Sequence, residues 1–137
     1  MAKGMSIEVL GIPELKKFMN QKSKEATIGM TKGVAKASIY VQGEVKLSIA
    51  GKKAETQSVD TGRFLNSVGI RFKDKSATVY SDLSYARKLE YGTNFKNSPR
   101  KHFRNSADRS KDKVRSILNK EIIDALNVAI NPIKKLL

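Results

Sequence analysis

The chain has 137 residues, with 27 lysines and arginines against 13 aspartates and glutamates and a formal net charge of +14. The absence of cysteine excludes disulfides and thiol catalysis, and the single histidine disfavours a polyhistidine metal site or a Ser-His-Asp triad. No apolar run is long enough for a signal peptide or a membrane span. The composition therefore predicts one soluble, intracellular domain, residues 1–137, that binds or assembles without enzymatic activity, cofactor, metal or membrane.

The first part of the chain predicts a strand followed by a long helix. Residues 5–10 alternate between apolar and polar side chains and end at Gly11. From there to about Ala50, apolar residues recur three or four apart, which is typical of one long helix or two in tandem. Gly29 and Gly33 weaken the middle of this pattern, so a kink or break is expected there.

The centre of the chain predicts a β-hairpin. Residues 51–58 are polar without a period and are expected to form an exposed loop. Residues 68–72 and 77–81 alternate between apolar and polar side chains, and the polar stretch 73–76 between them is as long as a hairpin turn. Two half-buried antiparallel strands are the expected result.

The last part of the chain predicts a short helix and a long one. Residues 84–91 fit two helical turns with Tyr85 facing inward, and Gly92 stands where a left-handed helix end favours glycine. An amphipathic pattern then runs from about residue 100 to 130, before a short tail at 131–137. The predicted fold class is α+β, in which long N-terminal and C-terminal helices pack on a small antiparallel sheet made of the first strand and the hairpin.

Half of the net charge lies near the start of the last helix. Residues 96–120 contain nine lysines and arginines against two aspartates. The simplest interpretation is a solvated helix face, and the alternative is a contact with nucleic acid or an acidic protein surface. No helix-turn-helix spacing or zinc ligand set is present, so nucleic-acid binding would be independent of base sequence. The candidate basic face comprises Lys96, Arg100, Lys101, Arg104, Arg109, Lys111, Lys113 and Arg115.

Two features suggest chemistry but have simpler interpretations. Asp60, Thr61 and Gly62 spell the triplet of aspartic proteases, which need two carboxylates sharing a proton across a dimer axis. The polar residues before the triplet and the helical content of the chain favour a cap and tight turn that lead into the hairpin. His102 has no second histidine or acidic neighbour, and it is expected to be a surface residue without a role.

Four segments follow one another along the chain: SIEVLGIPELKKF, VDTGRFLNSV, YARKLEYGT and SPRKHFRNSADRSKDKV. In this order they resemble the tail-completion or tail-component proteins of long-tailed bacteriophages, which are encoded among the head–tail joining genes. The resemblance covers the chain from about Met5 to Leu118. The residues that match the pattern of this family are Gly11, Leu15, Asp60, Thr61, Gly62, Leu65, Ser67, Tyr85, Ala86, Glu90, Gly92, Thr93, Pro99, Phe103 and Ala107.

The resemblance implies a structural virion protein that forms a ring, expected to be hexameric, at the neck between head and tail. Its expected partners are other copies of itself and the neighbouring neck or tail-tube proteins, with DNA contact allowed but not required. It would be found in the virion and, during assembly, in the host cytoplasm. The loops 51–59 and 93–101 are expected at subunit contacts, whereas Tyr85, Glu90 and the Gly92–Thr93 pair are expected to hold the fold.

Overall fold

The computed structural model describes residues 4–9, 24–59, 62–93 and 98–136. It shows an α+β fold in which two long helices pack together and against a small antiparallel sheet, as the sequence predicts. In chain order the elements are β1 (Met5–Val9), α1 (Lys24–Ile49), α2 (Arg63–Ser67), β2 (Gly69–Lys73), β3 (Ser76–Ser81), α3 (Ala86–Tyr91) and α4 (His102–Leu136).

The sheet has three strands in the order β1-β3-β2, and both pairings are antiparallel. The predicted hairpin is confirmed, with a two-residue turn in which Asp74 has a φ of 51°. Ile7 of β1 and Ile70 of β2 both pair with Val79 of the central strand, so the three side chains lie side by side on one face. Val79 is completely buried there and belongs to the core beneath α1.

Helix α1 runs without interruption from Lys24 to Ile49, so the expected break at the two glycines is wrong, and a kink there stays a prediction. Both glycines face α4. A Cβ atom on Gly29 would lie 2.8 Å from the carbonyl oxygen of Glu121, and one on Gly33 would lie 3.0 Å from a side-chain carbon of Leu118. The missing side chains allow close packing of the two helices, and this packing compensates for the low helix propensity of glycine.

The apolar core lies between the helices and the sheet, in two clusters. One contains Met30, Val34, Leu118 and Ile122, at the glycine-containing part of α1. The other lies nearer the start of α4 and includes Val41, Val45, Ile49, Phe64, Val79 and Phe103. Alternation along β3 and the three-to-four spacing along both helices place these side chains inside, as their patterns predict.

Helix α4 extends further than the sequence predicts. It continues to Leu136, so the expected short tail at 131–137 is wrong over the residues that the structure describes. Pro132 lies within this helix. None of the described helices is both long and apolar enough to cross a membrane. The predicted helix start after Gly11 lies outside the described residues.

Candidate functional site

The single histidine is buried, so its expected place on the surface is wrong. His102 is 0% exposed at the start of α4. Its Nδ1 atom lies 2.7 Å from the Ser48 hydroxyl on α1, and its Nε2 atom lies 2.8 Å from the Ser58 hydroxyl in the following loop. The imidazole therefore connects the end of α1, the 51–59 loop and the start of α4.

Glu55 makes the second set of contacts in this region. Although most of the 51–59 loop is exposed as expected, Glu55 is only 9% exposed. Its carboxylate accepts two 2.8 Å hydrogen bonds from the Arg109 guanidinium, one of 3.1 Å from the Asn105 amide and one of 2.5 Å from the Ser48 hydroxyl. The hydrogen bond from Arg109 is the main cause that lowers the Glu55 pKa to about 2.

These contacts determine which nitrogen of the histidine carries the proton. Ser48 donates to the ionised Glu55 carboxylate, so its oxygen must accept from Nδ1–H of His102. The lone pair on Nε2 then accepts from the Ser58 hydroxyl. Burial is the main cause that lowers the His102 pKa to about 4, so the imidazole is neutral at pH 7. We call this group the polar clamp: Ser48, Glu55, Ser58, His102, Asn105 and Arg109.

The hydrogen bonds of the polar clamp hold distant parts of the chain together. Ser58 and His102 have the contact of a nucleophile with its base, but a completely buried imidazole with a pKa of about 4 is a weak base. Its hydrogen bonds join residues that are 44 and 54 positions apart in the chain. The arrangement therefore fixes the 51–59 loop, which the sequence alone left as an unattached polar segment.

Glu90 fixes the start of α4 from the other side. Its side chain is 1% exposed, and its two carboxylate oxygens accept 2.8 Å hydrogen bonds from the backbone N–H groups of Phe103 and Arg104. These are two of the first N–H groups of the helix, which have no partner within it, and the negative charge lies at the positive end of the helix dipole. Glu90 thus caps α4 from α3.

The VDTGRFLNSV segment is described only in part. Asp60 and Thr61, like Gly11 and Leu15, lie outside the described residues. Gly62 has a φ of 79° and immediately precedes α2. Leu65 packs against the larger core cluster, and the Ser67 hydroxyl lies 2.7 Å from that of Ser81 on β3. The described part of this segment is thus joined to the sheet.

The later residues of the family pattern have mixed surroundings. Ala86 and Phe103 are buried, and Gly92 has a φ of 78°, a value that favours glycine. Tyr85 is 37% exposed, so its predicted inward orientation is wrong; it lies at the edge of Phe64, with ring centroids 6.1 Å apart. Phe64 is buried and occupies the core at this point, so the Tyr85 ring packs against it and remains partly exposed. Thr93 and Pro99 are exposed, and Ala107 is half-buried.

The predicted basic face is not one continuous surface. The Arg109 guanidinium is bound to the Glu55 carboxylate, and Arg100 is half-buried. At 100° per residue, Arg104, Lys111 and Arg115 fall on one side of α4, and Lys113 and Lys120 fall on another. Lys101 precedes the helix with a φ of 58°, and Lys96 lies outside the described residues.

A shallow cleft of about 440 Å³ lies beside Ser58 and is bordered by Phe64, Tyr85 and Arg100. The Nε atom of Arg100 is buried and has no hydrogen-bond partner among the described residues. Among the residues that the structure describes, no group of three or more histidine, aspartate or glutamate side chains is placed to hold a metal ion.

Comparisons of this chain with protein-family models, with curated proteins and with solved structures found no match.

Proposed function

We propose that this protein is a structural subunit of a tailed bacteriophage or prophage particle, which acts in tail completion or head–tail joining at the neck. It forms a ring, for which six subunits are expected, and it works through contacts with other copies and with neck or tail-tube proteins. Its location is the virion and, during assembly, the host cytoplasm. No catalytic step is part of this proposal.

The observation that carries the proposal is the way in which the family segments meet. Leu65, Ala86 and Phe103 come from three separate segments and pack in one core cluster. The Glu90 carboxylate then joins the third segment to the fourth through the backbone of Phe103 and Arg104. Residues of the family pattern therefore support one another in the fold, as is expected of a shared architecture rather than of a catalytic site.

The surface also suits assembly. The edge strand β2 exposes Phe72 (58%), and the outward side of α1 exposes Ile39 (59%). In the proposed ring, each of these side chains is available for contact with a neighbouring subunit. The cleft beside Ser58 offers a further place for contact with a partner.

The decisive experiment is deletion of the gene in the source virus or prophage, followed by electron microscopy of the lysate. We expect filled heads separated from tails, or tails of aberrant length, and restoration of whole particles by the gene supplied on a plasmid. A matched plasmid that carries Glu90→Ala tests whether the fold is needed, because this change removes the cap of α4. Normal infectious particles from the deletion strain would rule out the structural function.

A second candidate is a basic protein that binds nucleic acid without sequence specificity, and the net charge of +14 favours it. On one side of α4, Arg104, Lys111 and Arg115 recur along the helix with free access to solvent. Replacing these three residues with glutamine should weaken binding to duplex DNA. It should also lower the salt dependence of the binding constant by the amount expected for the loss of about three phosphate contacts. The control changes Lys113 and Lys120, on the other side, to glutamine.

The dependence on salt concentration distinguishes the structural function from nucleic-acid binding. Association of subunits that each carry +14 should strengthen as added salt screens their repulsion, whereas DNA binding should weaken steeply. Absence of DNA binding above about 0.1 M salt would remove the second candidate.

A further inference from the structure

The end of α3 and the start of α4 bring basic side chains together around one aromatic ring. The guanidinium carbon of Arg87 lies 5.7 Å from the centroid of the Tyr91 ring, and that of Arg104 lies 5.4 Å from it. Both distances are within the range of cation–π contacts. Lys88 lines a cleft of about 430 Å³ together with Arg87 and Tyr91. We call these four residues the α3–α4 basic patch.

Hydrogen bonds fix the two helices of this patch relative to each other. The Glu90 carboxylate on α3 accepts from the backbone N–H groups of Phe103 and Arg104 on α4. The Glu90 carbonyl oxygen accepts a further bond of 3.3 Å from the Lys101 N–H. The backbone on both sides of the patch is therefore in place before a partner binds, which lowers the entropic cost of binding.

The positive charges of the patch have no carboxylate partner. Arg87, Lys88 and Arg104 are exposed, and none of them forms an ion pair with the residues that the structure describes. The one acidic residue of the segment 83–107 is Glu90, which is 1% exposed. Because its carboxylate is bound to backbone N–H groups in the interior, it does not reach the cations on the surface.

A second arginine–tyrosine contact, on the sheet, differs in this respect. The Arg71 guanidinium carbon lies 4.1 Å from the centroid of the Tyr80 ring, and the same guanidinium is also paired with the Asp82 carboxylate. An arginine held by a tyrosine ring can thus be compensated within the subunit. Arg87 and Arg104 have the ring without the carboxylate.

We infer that the α3–α4 basic patch binds the phosphate backbone of nucleic acid, with Arg87 and Arg104 donating to phosphate oxygens and Tyr91 holding both guanidinium groups in place. The inference rests on the nucleic-acid binding proposed above as the second candidate, and it names the site. The fork of N–H donors on a guanidinium matches the oxygens of a phosphate group. Each such contact releases counterions, which favours binding and makes it dependent on salt.

The character of this surface favours nucleic acid over an acidic protein. Protein interfaces have an apolar centre from which lysine is depleted, whereas interfaces with DNA are polar and strongly positive. The large apolar surface of the patch is one ring, that of Tyr91, which is 49% exposed. Lys111 and Arg115 share the Arg104 side of α4, and Asp108 near them is paired with Lys111. A row of cations about 16 Å long suits a polymer with a charge about every 3.4 Å along each strand.

The test measures binding of a fluorescent duplex of about 20 base pairs to the full chain by anisotropy, at several salt concentrations. Arg87→Gln and Arg104→Gln should each weaken binding about eightfold at 0.1 M salt, because each lost phosphate contact lowers the slope of log binding constant against log salt by about 0.9. The matched control, Arg71→Gln, removes the same charge from a site that has its own carboxylate. It should leave binding within about twofold of wild type.

The part played by the Tyr91 ring is tested with the charge unchanged. Tyr91→Leu removes the ring that holds both guanidinium groups and should weaken binding about threefold or more. Tyr91→Phe keeps the ring and should bind as tightly as wild type. Circular dichroism and thermal unfolding check that both variants fold. Binding of wild-type strength in Tyr91→Leu would overturn the part assigned to the ring.

The remaining outcomes separate the site from the function. Equal weakening in Arg87→Gln and Arg71→Gln would show an effect of net charge alone and would overturn the site. Full binding in Arg87→Gln, with loss in the triple variant of α4 described above, would overturn the site but leave nucleic-acid binding. Polyglutamate that binds as tightly as the duplex would overturn nucleic acid as the partner. A wild type that binds no DNA would overturn the site and the second candidate together, while the deletion experiment tests the virion function separately.

Discussion

The antiparallel pair of α1 and α4 is held differently at its two ends. At one end, Gly29 and Gly33 allow the backbones to approach, and Met30, Leu118 and Ile122 fill the contact. At the other end, the polar clamp joins the helices through buried hydrogen bonds and through the ion pairs of Arg109 with Glu55 and Glu44. The apolar end gains stability roughly in proportion to the buried area. The polar end depends on every member having its partner, because an unpaired buried polar group is costly.

This difference explains how each end responds to change. An apolar contact tolerates exchange of one aliphatic side chain for another of similar size. The polar clamp has no such tolerance, because Glu55 alone accepts hydrogen bonds from three residues. The same difference makes the polar end sensitive to pH, since it contains the single histidine of the chain and a buried carboxylate.

The largest loss of stability is expected from Glu55→Ala, which removes the carboxylate at the centre of the polar clamp. Loss of the carboxylate leaves the Asn105 amide without its acceptor and leaves the Arg109 guanidinium with only the Ser106 hydroxyl and the more distant Glu44 carboxylate, so the free energy of unfolding should fall by about 3 kcal/mol. Denaturant unfolding measures this change. The matched control, Asp124→Ala, removes an exposed carboxylate paired with Lys120 and should cost less than about 0.5 kcal/mol. Equal losses in the two variants would contradict the difference between buried and exposed pairs.

The second-largest effect is expected from acid, which should lower the free energy of unfolding through His102 of the polar clamp. The His102 pKa is about 4 in the folded protein against 6.5 for the free side chain, so the unfolded chain binds the proton first. Stability is therefore complete above about pH 6.5 and falls as the pH drops towards 4, by about 2–3 kcal/mol. The lowered Glu55 pKa extends the loss below pH 4.5.

Unfolding in urea across this pH range measures the effect. In His102→Phe the decline between pH 6.5 and 5 should disappear, because His102 is the single histidine of the chain. A decline of the same size in the variant would show that His102 is not its source.

The apolar end should respond to a single methyl group. Gly29→Ala places a Cβ atom 2.8 Å from the Glu121 carbonyl oxygen, and the strain should exceed the gain in helix propensity and cost about 1–2 kcal/mol. The same substitution at Gly43, in the same helix but with open space, should stabilise the subunit by up to about 1 kcal/mol. Thermal unfolding of the two variants compares them directly, and a loss at Gly43 would show a neighbour there in the isolated subunit.

The smallest effect is expected away from both ends. Arg71 and Asp82 form a 3.5 Å ion pair whose side chains are 63% and 75% exposed. Asp82→Asn should change the free energy of unfolding by less than about 0.5 kcal/mol, because solvent and salt screen such a pair. Chemical denaturation in low and high salt tests this. A larger change would mean that the sheet depends on surface charge and not only on the core around Val79.

The sequence by itself determined the elements of this fold. Alternation over residues 68–72 and 77–81 specified the hairpin, and the spacing of apolar residues specified the two long helices, because these periods are local properties of strands and helices. It also located Gly92 at the end of α3, where a φ of 78° favours glycine, although a ψ of 174° lies outside the left-handed helical region that was expected. The exclusion of disulfides and thiol chemistry needed only the composition.

Only the tertiary structure decided what the isolated polar residues do. Glu55 lies in a stretch without periodicity, and His102 has no partner nearby in sequence; their contacts come from residues 54 positions away in the chain. In the same way, the sequence around Gly29 and Gly33 predicts a break in the helix, whereas the structure shows that these glycines allow α4 to pack closely. A local sequence pattern indicates which side of a helix or strand is buried. It does not indicate which group a buried polar side chain will bond or why a glycine is needed, because both depend on the element that packs there.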